Sequence, residues 1–169
     1  MGELADKVAV ITGGASGIGA ATAELFVQEG AKVIIADMQR KRGNALAAEL
    51  GANAIFSFVE VRNEDQVKNA IDTAVEKWGR LDCVFNNAGF GGALGPLQDV
   101  PVDDFDMTFD VLVKGVFLGM KHAIPVMKKQ GGGRIIIVTN IDAKAPGSGS
   151  LPASVTRAAG IAATKALSK

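Results

Sequence analysis

Four glycines, Gly13, Gly14, Gly17 and Gly19, crowd into the turn G-G-A-S-G-I-G. The turn separates a β-branched run, Lys7 to Thr12, from a Pro- and Gly-free stretch, Ala20 to Glu29. Such a turn lets the backbone come close to a pyrophosphate, while the free N–H groups and positive dipole end of the following helix face the anion. A second apolar run, Lys32 to Ala36, ends at Asp37. That carboxylate is placed to accept hydrogen bonds from an adenosine ribose, and its charge repels a 2′-phosphate. Strand, glycine turn, helix, strand and acid in this order predict dinucleotide binding, with NAD favoured over NADP. Arg40, Lys41 and Arg42 follow within the next predicted helix rather than in the glycine turn.

The remaining chemistry-bearing residues narrow the reading. Cys83 and His122 are each the sole residue of their type, so no internal disulfide, thiolate cluster or metal site is expected. Within L-D-C-V-F, Cys83 reads as a small buried hydrophobe. The 18 basic and 18 acidic residues cancel, so no net field recruits nucleic acid or an anionic membrane. No apolar run reaches the ~18 residues of a membrane span, and M-G-E-L-A-D has neither a basic region nor an apolar core; a cytoplasmic protein is the expectation.

The elements that must position these residues alternate. Ile18, Ala21 and Leu25 share one face of the first predicted helix, which stops at Gly30. Gln39 to Leu50 reads as a helix, Ala54 to Phe58 as a strand, and Asn63 with Gln66 as a capping box. The box opens a helix striped by Val67, Ala70, Ile71, Ala74 and Trp78, and in that stripe Trp78 reads as a packing residue. Leu81 to Phe85 is a fourth strand, and Phe90 to Val100 a loop. Val102 to Lys129 reads as one long helix burying Phe105, Phe109, Leu112, Val113, Val116, Phe117 and Met120, kinked at Pro125. Arg134 to Thr139 is a fifth strand, Asn140 to Pro152 a loop, and Ala153 to Lys169 a last helix. Nearly all-apolar strands alternating with helices predict an α/β fold, a doubly wound parallel sheet of order 3-2-1-4-5 with helices on both faces. The ligand belongs at the carboxyl ends of the strands, at the switch between strands one and four.

The spacing T-G-x-x-x-G-x-G from Thr12 to Gly19 resembles that of the short-chain dehydrogenase/reductase family. So do Asp37, N-N-A-G at Asn86 to Gly89, K-G-V-F-L-G at Lys114 to Gly119 and G-R-I-I-I-V at Gly133 to Val138. The resemblance covers essentially the whole chain and implies a single Rossmann domain over 1–169 that ends before the family's sixth strand. It implies cofactor contacts from Gly13, Ser16, Gly17, Ile18, Gly19, Asp37, Glu60, Val61, Asn87, Ala88 and Gly89. Glu60-Val61 stands where the family usually has Asp-Val. Turn chemistry after the strand is a second role open to Asn87 and Gly89.

Family members act on carbonyls and alcohols with Asn, Ser, Tyr and Lys. The matching positions here are Leu112, Asn140, Ala153 and Arg157, and the chain has no tyrosine at all. Ala153 has no proton to give, Asn140 can bond a carbonyl but not replace that proton, and Leu112 reads as core. Arg157 has two readings, a bond to a ribose hydroxyl or a solvated helix residue. The expectation is therefore an NAD-binding homologue, catalytically dead or impaired, with no catalytic residue assigned. Residual NAD-dependent oxidoreductase activity is one alternative. Others are a non-catalytic partner that pairs with itself or intact relatives through the helix from Val102 and the last helix, and a truncated product without a role. Strand five is expected to leave an apolar edge in need of cover.

Overall fold

The computed structural model describes residues 2–140, 143–144 and 151–167. Most of the segment assigned to the Asn140–Pro152 loop, residues 141–142 and 145–150, lies outside the described residues, as do residue 1 and residues 168–169. Five strands, β1 (Val8–Thr12), β2 (Lys32–Asp37), β3 (Ala54–Phe58), β4 (Cys83–Asn86) and β5 (Arg134–Ile137), form one sheet of order β3-β2-β1-β4-β5. Every pairing is parallel, with Val10 opposite both Ile34 and Val84. The expected doubly wound α/β sheet is therefore present. The connecting helices are α1 (Gly17–Gln28), α2 (Arg40–Leu50), α3 (Glu64–Trp78), α4 (Val102–Phe109), α5 (Gly115–Lys129) and α6 (Leu151–Leu167).

Alternation along the central strands divides the core in two. Val8, Val10, Ile34 and Ala36 point to the side covered by Val67, Ala70, Ile71, Leu118 and Met127 of α3 and α5; Trp78 packs against this cluster. Ile11, Val33 and Ile35 point to the other side, against Ala23 of α1 and Leu46 of α2. This is the period-two pattern of strands buried on both faces.

Three helix expectations need correction. The Ile18–Ala21–Leu25 face of α1 turns outward, with Ile18 64% exposed, and Gly19 and Ala23 face the sheet. Small residues win the inner face because the helix lies almost on the strands: a Cβ on Gly19 would stand 2.1 Å from the Gly13 carbonyl oxygen. At the start of α3, Asn63 Oδ1 does accept from the Gln66 N–H (3.1 Å), but the Gln66 side chain accepts from the Glu60 N–H (2.8 Å), so it ties the helix to the end of β3. The long helix runs on through Pro125, which lies inside α5, and is interrupted instead by a π-helical turn, Asp110–Lys114, between α4 and α5. The extra residue of a π turn rotates every later side chain about the helix axis. Phe117 is 53% exposed and Phe105 faces solvent, while Thr108, Gly115, Leu118, Gly119, Met120, Ala123 and Met127 are buried.

β5 lies at the sheet edge, paired with β4 alone. α6 reaches one face of it, where a Cβ on Gly160 would meet Ile137 at 3.3 Å, and leaves Ile136 of the opposite face 42% exposed. An open groove on that face runs past Leu4, Phe26, Cys83 and Ile136. Cys83 is therefore half-buried rather than sealed in the core, and burial pushes its thiol up to about 11.

Candidate functional site

The strand order reverses between β1 and β4, and a cavity of about 520 Å³ opens there at the carboxyl ends of β1, β2, β3 and β4. Ten of the eleven residues named for cofactor contact line it: Gly13, Ser16, Gly17, Ile18, Asp37, Glu60, Val61, Asn87, Ala88 and Gly89. The eleventh, Gly19, sits beneath, where its missing side chain lets the turn close. Met38, Gln39, Val59, Phe90 and Val111 complete the wall.

Asp37 is buried, and its carboxylate accepts from the Ala15 N–H (2.9 Å) and the Gln39 N–H (2.9 Å). The glycine turn is thus fastened to the end of β2, and each carboxylate oxygen keeps a further lone pair. No side chain among the described residues caps α1, so its first-turn N–H groups stay available at the cavity. Ser16 instead accepts from Gln39 Nε2 (3.2 Å), and Arg42 donates to Gln39 Oε1 (3.0 Å). Arg40 lies over the Phe58 ring, 3.7 Å from its centroid.

Thr12 and Asn87 fasten the β1 turn to β4. Asn87 Nδ2 donates to the Thr12 and Gly13 carbonyl oxygens (3.0 and 3.2 Å), and Thr12 Oγ1 accepts from the Asn87 and Ala88 N–H groups (both 3.1 Å). Thr12 was missing from the site residues read in the sequence; its signal is a lone buried polar side chain closing an apolar run. Glu60 lines the cavity, but Arg62 grips its carboxylate with two bonds (3.0 and 2.9 Å) and holds it below the usual carboxylate range.

Three of the four positions that the resemblance matches to the family's reactive residues gather one strand further along. Leu112, Asn140 and Arg157 border a second cavity of about 330 Å³ between the carboxyl ends of β4 and β5. Leu112 belongs to the π turn and faces this cavity, which corrects its reading as plain core. Ala153 is only 2% exposed and packs where a Cβ on Gly92 would lie 3.2 Å from it. Arg157 is half-buried, not solvated: Nη2 donates to the Phe90 carbonyl oxygen (3.1 Å), and Nη1 is buried without a hydrogen-bond partner among the described residues.

Elsewhere, His122 shares Glu64 Oε1 with Lys121 (3.0 and 2.7 Å). No group of three metal-binding side chains occurs among the described residues, and no described helix is long and apolar enough to cross a membrane.

The comparisons agree with this fold. The crystal structure of levodione reductase has the same fold, with a TM-score of 0.91 and 28% identity over 96% of this chain and 65% of that one. Tropinone reductase-like 2 of Erythroxylum coca is 49% identical over 142 residues, 82% of this chain and 52% of that protein. Secoisolariciresinol dehydrogenase of Forsythia intermedia is 45% identical over 150 residues, 88% of this chain and 54% of that protein. The chain spans about half the length of these curated relatives. The short chain dehydrogenase family matches residues 7–169, so a glycine turn, an acid closing β2 and an N-N-A-G corner on this sheet place the chain in the short-chain dehydrogenase/reductase family.

Proposed function

We propose that this chain binds NAD(H) in the cavity between the glycine turn, Asp37 and Asn87-Ala88-Gly89, and that it lacks the proton transfer of its oxidoreductase family. Members of the family use nicotinamide dinucleotides, whose nicotinamide supplies hydride transfer when bound. The observation that carries the binding half is the Gly13–Gly19 contact. With no room for a Cβ on Gly19, the turn's backbone closes beneath the cavity, beside uncapped helix N–H groups and a buried carboxylate. These features fit a pyrophosphate and an adenosine ribose.

Asp37 supports NAD over NADP, because a 2′-phosphate would be brought against its charge. Of the nearby cations, Arg40 lies on Phe58 and Arg42 on Gln39. Fluorescence titration should give NADH at least about tenfold tighter binding than NADPH. Gly19→Asp should abolish NADH binding. Equal affinities would remove the preference, and undiminished binding by a folded Gly19→Asp protein would remove the site.

The reading of lost catalysis rests on Ala153 and the absence of tyrosine. Loss of acid–base help removes about 10²- to 10⁴-fold in rate. Assays of purified chain over a panel of alcohols and ketones should therefore show no steady turnover. Turnover that disappears with Gly19→Asp would overturn this half and leave the binding half standing.

A second reading is favoured by the exposed apolar residues Val102, Phe105, Met107 and Phe117, with Leu151 and Val155 of α6. On it, α4, α5 and α6 pair with a second copy or an intact relative. Light scattering, and co-purification with a full-length family member, tests it; a monomer indifferent to such relatives sinks it.

A further inference from the structure

The second cavity has no acid–base pair but does have a charge. Arg157 is the sole charged side chain among the described residues lining it, and most of its walls are apolar: Ile18, Leu112, Val116 and Ile137 with the Phe90 ring. The guanidinium takes part in none of the ion pairs formed among the described residues. One arm, Nη2, is fixed on the Phe90 carbonyl oxygen (3.1 Å), and the other, Nη1, is buried with no acceptor among the described residues. The Thr139 hydroxyl donates to the Arg157 carbonyl oxygen (3.4 Å), which steadies the same residue from the β5 side.

A buried donor without an acceptor is costly, and a positive charge between apolar walls adds to that cost. A carboxylate in the cavity compensates that charge. We propose that this cavity binds a small organic carboxylate, its oxygens on Arg157 and its apolar body against Leu112, Val116 and Ile137. A neutral alcohol or ketone of the same shape satisfies the donor but leaves the charge uncompensated. Inorganic phosphate meets the charge but would desolvate against apolar walls. Nothing in this arrangement requires a nucleotide in the adjoining cavity.

The test is isothermal calorimetry on the full chain without nucleotide, using benzoate, benzamide and inorganic phosphate. Benzoate should bind at least about tenfold tighter than its neutral isostere benzamide, and phosphate should not displace it at equal concentration. Arg157→Gln should weaken benzoate by about tenfold or more, with Arg157→Lys in between because it keeps charge and loses the fork. Equal binding of benzoate and benzamide, displacement by phosphate, or benzoate affinity unchanged in folded Arg157→Gln would each overturn the proposal. If Arg157→Gln does not fold, the benzoate–benzamide pair on the wild-type chain still decides. NADH titrated separately keeps the two cavities distinct: benzoate discrimination in a chain that does not bind NADH refutes the nucleotide reading and upholds this one.

Discussion

Asp82 shows how a single side chain can anchor the sheet at the end away from the cavities. Its carboxylate accepts from the Val8 N–H (2.9 Å) and from Arg80 (2.8 and 2.6 Å), joining the start of β1 to the start of β4. Burial alone would raise its pKa, but Arg80 and the Val8 N–H outweigh burial and hold it below the usual carboxylate range. A carboxyl depressed in the folded state stabilises above its unfolded pKa, about 3.9, and that stability is lost as pH falls through the folded value. Asp82→Asn should therefore cost about 1–3 kcal/mol in urea unfolding at neutral pH, with the gap to wild type closing in strong acid. Gly19→Ala acts at the opposite end: its Cβ would lie 2.1 Å from the Gly13 carbonyl oxygen and 2.7 Å from Asn87 Nδ2. An overpacking cost of about 1–3 kcal/mol should appear as a Tm lowered by several degrees in scanning calorimetry. At this scale the glycines and Asp37 were legible because spacing along one βαβ unit places them. Thr12 and Arg62 were not, since Thr12 acts across to β4 and Arg62 acts by turning Glu60 aside.

Among the elements, strands were read well and helix faces less well. A parallel strand buried on both faces announces itself as an unbroken apolar run, and β3 begins and ends where the sequence placed it. The inner face of α1 is made of Gly19 and Ala23, which hydropathy cannot single out, and Ile18 and Leu25 present a more conspicuous stripe on the wrong side. The π turn at Asp110–Lys114 likewise has no signature in apolar periodicity; it becomes visible as a misplaced stripe, with Phe117 outside and Leu118 inside. Next to that turn, Thr108 fixes the preceding loop: its Oγ1 accepts from the Ala93 N–H (2.9 Å) and donates to the Asp104 carbonyl oxygen (2.7 Å). Thr108→Val keeps the shape and strands the buried Ala93 donor. It should cost about 1–3 kcal/mol by chemical denaturation, with faster amide exchange confined to the loop around Ala93.

For the molecule as a whole, the sheet has one well-covered centre and one thinly covered flank. Among the described residues β5 presents an unpaired backbone edge, with Ile136 and the following Val138 exposed, and grooves run along both of its faces. An apolar edge of this kind recruits other strands. Ile136→Lys should reduce concentration-dependent association of the isolated chain in light scattering while leaving NADH affinity unchanged, because the substituted position lies on the far side of β4 from Asp37. The order of the sheet, and with it the position of the cavity between β1 and β4, was legible because right-handed crossovers leave few alternatives once five apolar strands alternate with helices. Leu112, Asn140 and Arg157 were named from the family resemblance, but the cavity they border was not legible, because it forms where β4, β5, the π turn and α6 meet.

The bond from the Ala15 N–H to Asp37 is made entirely within the chain. The glycine turn is thereby held in shape before any encounter, and the proposed dinucleotide would have little backbone left to freeze there. Deuterium labelling should find the Ala15 amide protected in the ligand-free chain and little further slowed by NADH, whereas a turn that ordered only on contact would show its protection appear with the nucleotide.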